Sequence, residues 1–214
     1  PNHFEYAGAA GGYIDKYGIP FCRGRIFNKI EEDEGQYDEI KEVFWASGAC
    51  FLIRSKVFWR LGGFDNDFFA HQEEIDLCWR AHNLNYRALA VGSSKIYHIG
   101  GSTLPISPKK TYLNHRNSLI MIVKNVPNKN LYSILFFRLI LDGFIGLLFF
   151  LRLKFSFTWA IIRAHYALFK MFKYLKTKNI DEIKRNDYYF VKNILKEYFL
   201  KRKRYFTDLN KLIK

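Results

Sequence analysis

The sequence predicts an α/β chain that runs on into a basic, helical C-terminal extension. Three observations carry that expectation: the stretch EVFWASGACFLIRS, which alternates and then turns apolar as a strand does; the stretches EEIDLCWRAHN and TYLNHRNSLIMIVKNV, whose apolar residues recur near helical spacing; and a charge balance that changes sign along the chain. The formal net charge is +14 over 214 residues. Residues 1–100 hold 11 Lys/Arg against 14 Asp/Glu, residues 101–151 hold 6 against 1, and residues 152–214 hold 17 against 5. Basicity is therefore a property of the tail. Interleaved with Phe, Tyr, Leu and Ile, such a tail suits an anionic membrane surface, its charges meeting headgroups while its apolar face enters the interface. No RNP-like, zinc-finger or helix-turn-helix pattern accompanies the charge, so nucleic acid is not the expected partner.

The length suffices for one domain, or for part of a larger one plus an extension. The chain opens at Pro1 with no charged-then-apolar leader, and its N-terminus is read as a cut. Cys22, Cys50 and Cys78 are odd in number, far apart and set in apolar or helical patterns. They are expected to be reduced, buried thiols, which favours a cytoplasmic domain.

From Phe4 to Arg25 the glycines and aromatics read as loop. The acidic run Glu31, Glu32, Asp33, Glu34 reads as solvated surface. A mostly buried strand is expected from Val43 to Ile53, broken at Gly48. A short helix should follow, capped by Ser55, with Val57, Phe58 and Leu61 on its apolar side and Gly62–Gly63 as its stop. The loop FDNDFFAHQ leads into a helix whose first turn carries Glu73, Glu74 and Asp76, where unpaired amides and the helix dipole favour carboxylates. The segments YRALAV and SKIYHIGG read as two short strands, and a helix is expected from Tyr112 to Lys124, ended by Pro127.

Composition changes after Pro127. Residues 131–151 are about long enough to cross a bilayer, but Arg138 and Asp142 lie four apart within them, so the segment is expected to lie at the membrane surface, to span it with the pair softening the cost of burial, or to be an ordinary core helix packed on a neighbour. Residues 155–175 and 186–214 read as further basic amphipathic helices. Two domains are expected, 1–127 and 128–214.

Taken in order and spacing, ASGACFLIRSKVFWRLGGFD, FFAHQEEIDLCWRA and YHIGGST closely resemble the second half of the family 2 glycosyltransferases. The resemblance covers roughly residues 4–125. It implies part of a GT-A type α/β sheet with flanking helices, and an inverting hexosyl- or rhamnosyltransferase acting from a nucleotide-sugar donor, UDP- or dTDP-linked. The implied acceptor is a glycan or a lipid-linked sugar of cell-surface polysaccharide synthesis, met at the cytoplasmic face of the membrane. The family's nucleotide-binding half, with its Asp-x-Asp motif, would precede residue 1, and these residues by themselves are expected to be inactive. Asp65-x-Asp67 copies the letters of that motif but sits in the Gly-Gly-Phe-Asp turn, which argues against equivalence.

Inverting transfer needs a carboxylate to take the acceptor proton and positive charge on the departing diphosphate, usually a divalent metal, Mn or Mg. Glu74 matches the family's second acidic position and is the expected base. The family usually has Asp there, so Glu74 is one methylene longer. Glu73 matches the first acidic position. Asp76 is expected to orient neighbours or to pair with Arg80. His98 lies just before Gly100 and Gly101, and the resemblance implies that it meets the metal or the diphosphate. Trp45, Gly48, Ala49 and Asp65 are expected around the substrate. Arg116 is expected at a phosphate, and His71 is expected near the site without taking part. The rival reading from another class is a membrane-bound binding or scaffold module that keeps the fold without catalysis.

Overall fold

A computed structural model describes residues 3–4, 9–97, 107–178 and 184–210, in which small sheets alternate with longer helices. The chain divides into two compact units. The first comprises Pro1–Gly63, Leu77–Gly100 and Asp187–Lys214, and the second comprises Phe64–Asp76 and Gly101–Asn186. The boundary expected at residue 127 does not coincide with this division, because the end of the chain returns to the unit in which it began.

In the first unit, β1 (Gly12–Ile14), β2 (Pro20–Cys22), β3 (Arg25–Ile26) and β4 (Lys29–Ile30) form an antiparallel meander in that order. The glycine-rich segment expected as loop thus contains strands, and its glycines serve the turns between them: Gly18 and Gly24 take left-handed φ of 71° and 81°. Gly12 is required for closeness, since a Cβ there would stand 1.9 Å from Cε2 of Trp45. β5 (Ile40–Val43) pairs antiparallel with β6 (Ala88–Val91), from Ile40 opposite Val91 to Val43 opposite Ala88. The strand expected over Val43–Ile53 therefore lies earlier in the chain and ends where it was expected to begin. The reason is an exposed turn at Ser47–Cys50, in which the Ser47 carbonyl accepts the Cys50 amide at 3.1 Å. This turn also exposes Cys50, which was expected buried, whereas Cys22 and Cys78 are buried. α1 (Ser55–Arg60) forms as expected, with Arg54 at the cap position in place of Ser55, and ends on Gly62 and Gly63 at φ 78° and 67°.

Residues 186–214 were expected to be amphipathic helix, and the structure describes them as far as residue 210. Among the described residues they hold a short helical stretch at 194–195 that continues into a π-helical turn, Lys196–Leu200, and a last short helix, α6, over Phe206–Asn210. What they bury is aromatic. Phe190 and Phe206 pack against Tyr13 and Phe21, with ring centroids 4.5 Å apart for the tilted Tyr13–Phe190 pair and 5.4 Å for the stacked Tyr13–Phe206 pair. Such pairs contribute about 0.5–1.5 kcal/mol each beyond the area they remove from water. The carboxylate of Asp15, wholly buried, accepts the amides of Tyr17, Ile19 and Ile194, and so ties this segment to the end of β1. Glu31, expected on the solvated surface, is buried instead: it accepts the Tyr37 hydroxyl and the Thr207 amide.

α2 (Glu73–Asn83) starts in the second unit and ends in the first. The second unit is built on α3 (Pro108–Asn125), α4 (Asn128–Leu151) and α5 (Phe155–Thr177). Ser107 caps α3 through the Lys110 amide, and Pro108 takes the first helical position, where its missing N–H costs nothing. α3 packs on both other helices and is buried continuously from Asn117 to Val126. Arg138 and Asp142 of α4 are 6% and 1% exposed, so both charges face inward. Asp142 lies 3.0 Å from His115 Nδ1 and 3.3 Å from His165 Nε2, and Arg138 donates to Ser118 Oγ at 2.8 Å. The partners that make their burial tolerable thus come from α3 and α5.

Candidate active site

The expected acidic pair stands at the head of α2, and the chain reaches it through an unusual turn. Asp65 accepts the Asp67 amide at 3.0 Å and starts the bend, and Phe68 is wholly buried beneath it. Phe69, His71 and Gln72 then take φ of 62°, 72° and 69°, left-handed values at three non-glycine residues within four positions. Each costs on the order of 1–2 kcal/mol. α3, in the same unit, compensates. Asn117 Nδ2, fully buried, reaches the carbonyls of Phe68 at 2.9 Å, Ala70 at 2.7 Å and His71 at 2.8 Å. Arg116 Nη2 donates to Asp67 O at 2.8 Å and Phe68 O at 2.9 Å, and Gln72 Nε2 donates to Asn114 O at 3.2 Å. Arg116, expected at a phosphate, is therefore a clasp on this turn.

One turn further, Asp76 is wholly buried and both its oxygens lie 2.9 Å from Lys124 Nζ, with Asn125 Nδ2 at 2.8 Å from one of them. Spacing suggested Arg80 as its partner. Lys124 and Asn125 hold the carboxylate from α3, and Arg80 also donates to the carbonyls of Leu61 and Gly63. Lys124 also meets Asp65 at 2.7 Å, and Lys178 bridges Asp65 at 3.0 Å and Asp67 at 2.7 Å. Burial by itself would raise the Asp65 pKa, but the Lys124 and Lys178 ammonium groups and the Asp67 amide outweigh it and hold the carboxyl well below its usual range. Lys178 is held above its usual range: desolvation is overcome by Asp67, Tyr174 and Asp65. Asp65, expected as a substrate contact, is thus an anchor for two lysines.

Polar atoms at the head of α2 remain open. Among the described residues, His71 Nε2, Gln72 Oε1 and Glu73 Oε2 are buried without a hydrogen-bond partner. Glu74, next in line, is partly buried. Burial and then the Lys110 ammonium push the His71 imidazole below its ordinary pKa, with Glu73 pulling the other way, so the ring is neutral at pH 7. A neutral imidazole and carboxylate oxygens on a rigid turn are proton acceptors in chemical terms.

The other expected residues lie elsewhere. Trp45 is 6% exposed in the first unit and donates Nε1 to Tyr13 O at 3.0 Å, so its ring is core and not a sugar platform. Gly48 and Ala49 sit on the exposed turn after Trp45, where Ala49 donates to Ser47 Oγ at 3.2 Å; they are not the floor of a buried strand. His98 lies outside the described residues, as does the end of its expected strand. No three His, Cys, Asp or Glu side chains converge on a metal site among the described residues. Sequence reasoning missed Asn117, Lys124 and Gln72. The signal for the first two was present: an amide and an ammonium inside an otherwise apolar helical run.

Comparison with known proteins places these features in context. The chain is similar to the N-acetylglucosaminyl-diphospho-decaprenol L-rhamnosyltransferase of Mycobacterium tuberculosis, 30% identical over 78 residues, which is 36% of this chain and 25% of that protein. It is 33% identical over 69 residues to the low-salt glycan biosynthesis hexosyltransferase Agl10 of Haloferax volcanii, covering 31% of this chain and 22% of the relative. It is 36% identical over 62 residues to the rhamnosyltransferase WbbL of Escherichia coli, covering 29% and 23%. The chain spans about a quarter of the length of these curated relatives. No family model matches it, and no solved structure matches it.

Proposed function

We propose that this chain carries the acceptor-activating part of an inverting, family 2, GT-A type glycosyltransferase working at a membrane surface in glycan synthesis. The similarity to rhamnosyl- and hexosyltransferases supports a glycosyltransferase-like enzyme. The observation that carries the mechanism is the head of α2: a strained turn, clasped by Asn117 and Arg116, that fixes adjacent acidic residues beside buried, unsatisfied polar atoms. A base held in this way loses little to misalignment when the acceptor arrives.

In the proposed step the acceptor hydroxyl oxygen attacks the anomeric carbon of a nucleotide sugar while its proton passes to a carboxylate oxygen of Glu74. The bond from the anomeric carbon to the diphosphate breaks with its electron pair, and the configuration inverts. Glu73 and the neutral His71 flank the base, and Asp76 holds the first turn of α2 to Lys124. The donor, and a glycan or lipid-linked acceptor, are the substrates this chemistry requires. A divalent ion would stabilise the diphosphate when bound, with His98 as a ligand. The described residues do not make such a site by themselves.

The membrane contact we propose is the α4–α5 hairpin. α4 is long and apolar enough to cross a membrane by length and composition. With Arg138 and Asp142 turned inward, its outer side exposes Phe136, Phe144 and Leu148, and α5 exposes Trp159 and Phe169. Arg152 and Lys154 stand exposed at the bend between the helices. An apolar face edged by aromatics and cations suits a helix pair lying in the interface. Free thiols at Cys22, Cys50 and Cys78 support the cytoplasmic side.

The second reading, a binding module without catalysis, is separated by Glu74→Gln in the full-length protein. A transferase loses sugar transfer while it keeps its ligands; a binding module keeps its function unchanged.

A further inference from the structure

The first unit carries a surface feature that the hairpin does not explain. The π-helical turn Lys196–Leu200 ends with Phe199 and Leu200 side by side, 65% and 75% exposed. Directly after them come Lys201, Arg202, Lys203 and Arg204, with Lys196 before them and Tyr205, 42% exposed, behind. Glu197 is the acidic residue within this stretch. It takes Lys201 at 2.8 Å and Lys203 at 3.5 Å, so one carboxylate is shared by two ammonium groups amid five cations.

The feature has a fixed shape. Lys201 N donates to Lys196 O and Lys203 N to Glu197 O, both at 3.0 Å, around Arg202 in the left-handed region at φ 56°. Asp208 accepts the amides of Arg204 and Tyr205, each at 3.2 Å. The turn between β3 and β4 buttresses it: Phe27 stacks on Phe199 with centroids 6.0 Å apart, and Asn28 Oδ1 accepts the Tyr198 hydroxyl at 2.6 Å. Two chain segments thus hold an apolar knob outward inside a ring of cations.

We propose that Lys196–Tyr205 is a second lipid contact of this protein, separate from the α4–α5 hairpin, that recognises anionic phospholipid headgroups. Arg202, Arg204 and the lysines meet lipid phosphates, while Phe199 and Leu200 enter the acyl boundary. A single-stranded nucleic acid would use aromatic faces for stacking. Here Phe199 already stacks on Phe27, and the most exposed group is the aliphatic Leu200. The inference goes beyond the proposed function and stands without it.

The test is flotation with vesicles of phosphatidylcholine, with and without phosphatidylglycerol, at two salt concentrations. Arg202→Asn with Arg204→Gln keeps a residue tolerant of the left-handed backbone and removes two charges. Preference for the anionic vesicles should fall roughly thirtyfold, with binding to phosphatidylcholine unchanged. Phe136→Ser with Phe144→Ser should lower binding to both vesicle types and leave the preference intact, so failure of the hairpin contact is read separately. A dye on Leu200→Cys in a Cys50→Ser background should shift to the blue on anionic vesicles, which locates the contact even if the charge variant folds poorly. An unchanged preference in the double variant, no dye shift, or capture by single-stranded DNA in place of vesicles at physiological salt would overturn the proposal.

Discussion

The side-chain amide of Asn117 lies 2.8 Å from the carbonyl of His71, across 46 positions of sequence. The same nitrogen serves Phe68 and Ala70, so a single buried amide is shared among three carbonyls of the turn that opens α2. A turn with left-handed Phe69, His71 and Gln72 persists only where its surroundings over-determine it. Asn117 supplies that determination from the middle of a packed helix.

Asn117→Leu keeps the volume and removes both N–H donors. With carbonyls left unpaired in the interior, urea denaturation should show a loss of about 3 kcal/mol. Amide hydrogen exchange over residues 69–76 should quicken more than over α4. Unchanged exchange there would mean that the turn supports itself.

Lys124 is 5% exposed in its side chain and holds both Asp76 and Asp65. Lys124→Met removes the Lys124 ammonium from the wholly buried Asp76 carboxylate, and removing one member of a buried pair costs about 3–5 kcal/mol. Adding Asp76→Asn should recover part of that loss, because no buried charge is then left over. Two additive losses would show that the pair is not coupled.

The pH dependence has a definite sign. The folded carboxyl of Asp65 titrates below the unfolded value of about 3.9. Its contribution to stability is fully present above that value and is lost as pH falls through the lower folded pKa. Denaturation midpoints should therefore hold down to about pH 4 and then fall steeply, and Asp65→Asn should flatten that acid limb. A variant with the same acid limb would remove Asp65 from the account.

Much of the helical part was legible in the sequence, because periodicity over many residues leaves little choice: α1, α3, α4 and α5 lie close to their expected spans. The strands were less so. β1 to β4 are two or three residues each and depend on partners brought together by glycine turns, which no local pattern records. The return of residues 187–210 was illegible for a related reason: Phe190 and Phe206 look like residues of an amphipathic helix until Tyr13 and Phe21 are beside them. In the candidate site the acidic pair could be found from its place before a helical pattern. The contacts that Asp65, Asp76 and Arg116 make between α3 and the turn could not, because each of these partners lies between 48 and 59 positions away.

In the proposed transfer the carboxylate of Glu74 takes the acceptor proton. The decisive measurement is single-turnover transfer at saturating donor and acceptor, compared between Glu74→Gln and Glu73→Gln in the full-length protein. The rate should fall by at least about a hundredfold for Glu74→Gln, with donor affinity kept, and by less than about tenfold for Glu73→Gln. Transfer by Glu74→Gln at the unaltered rate would contradict the account.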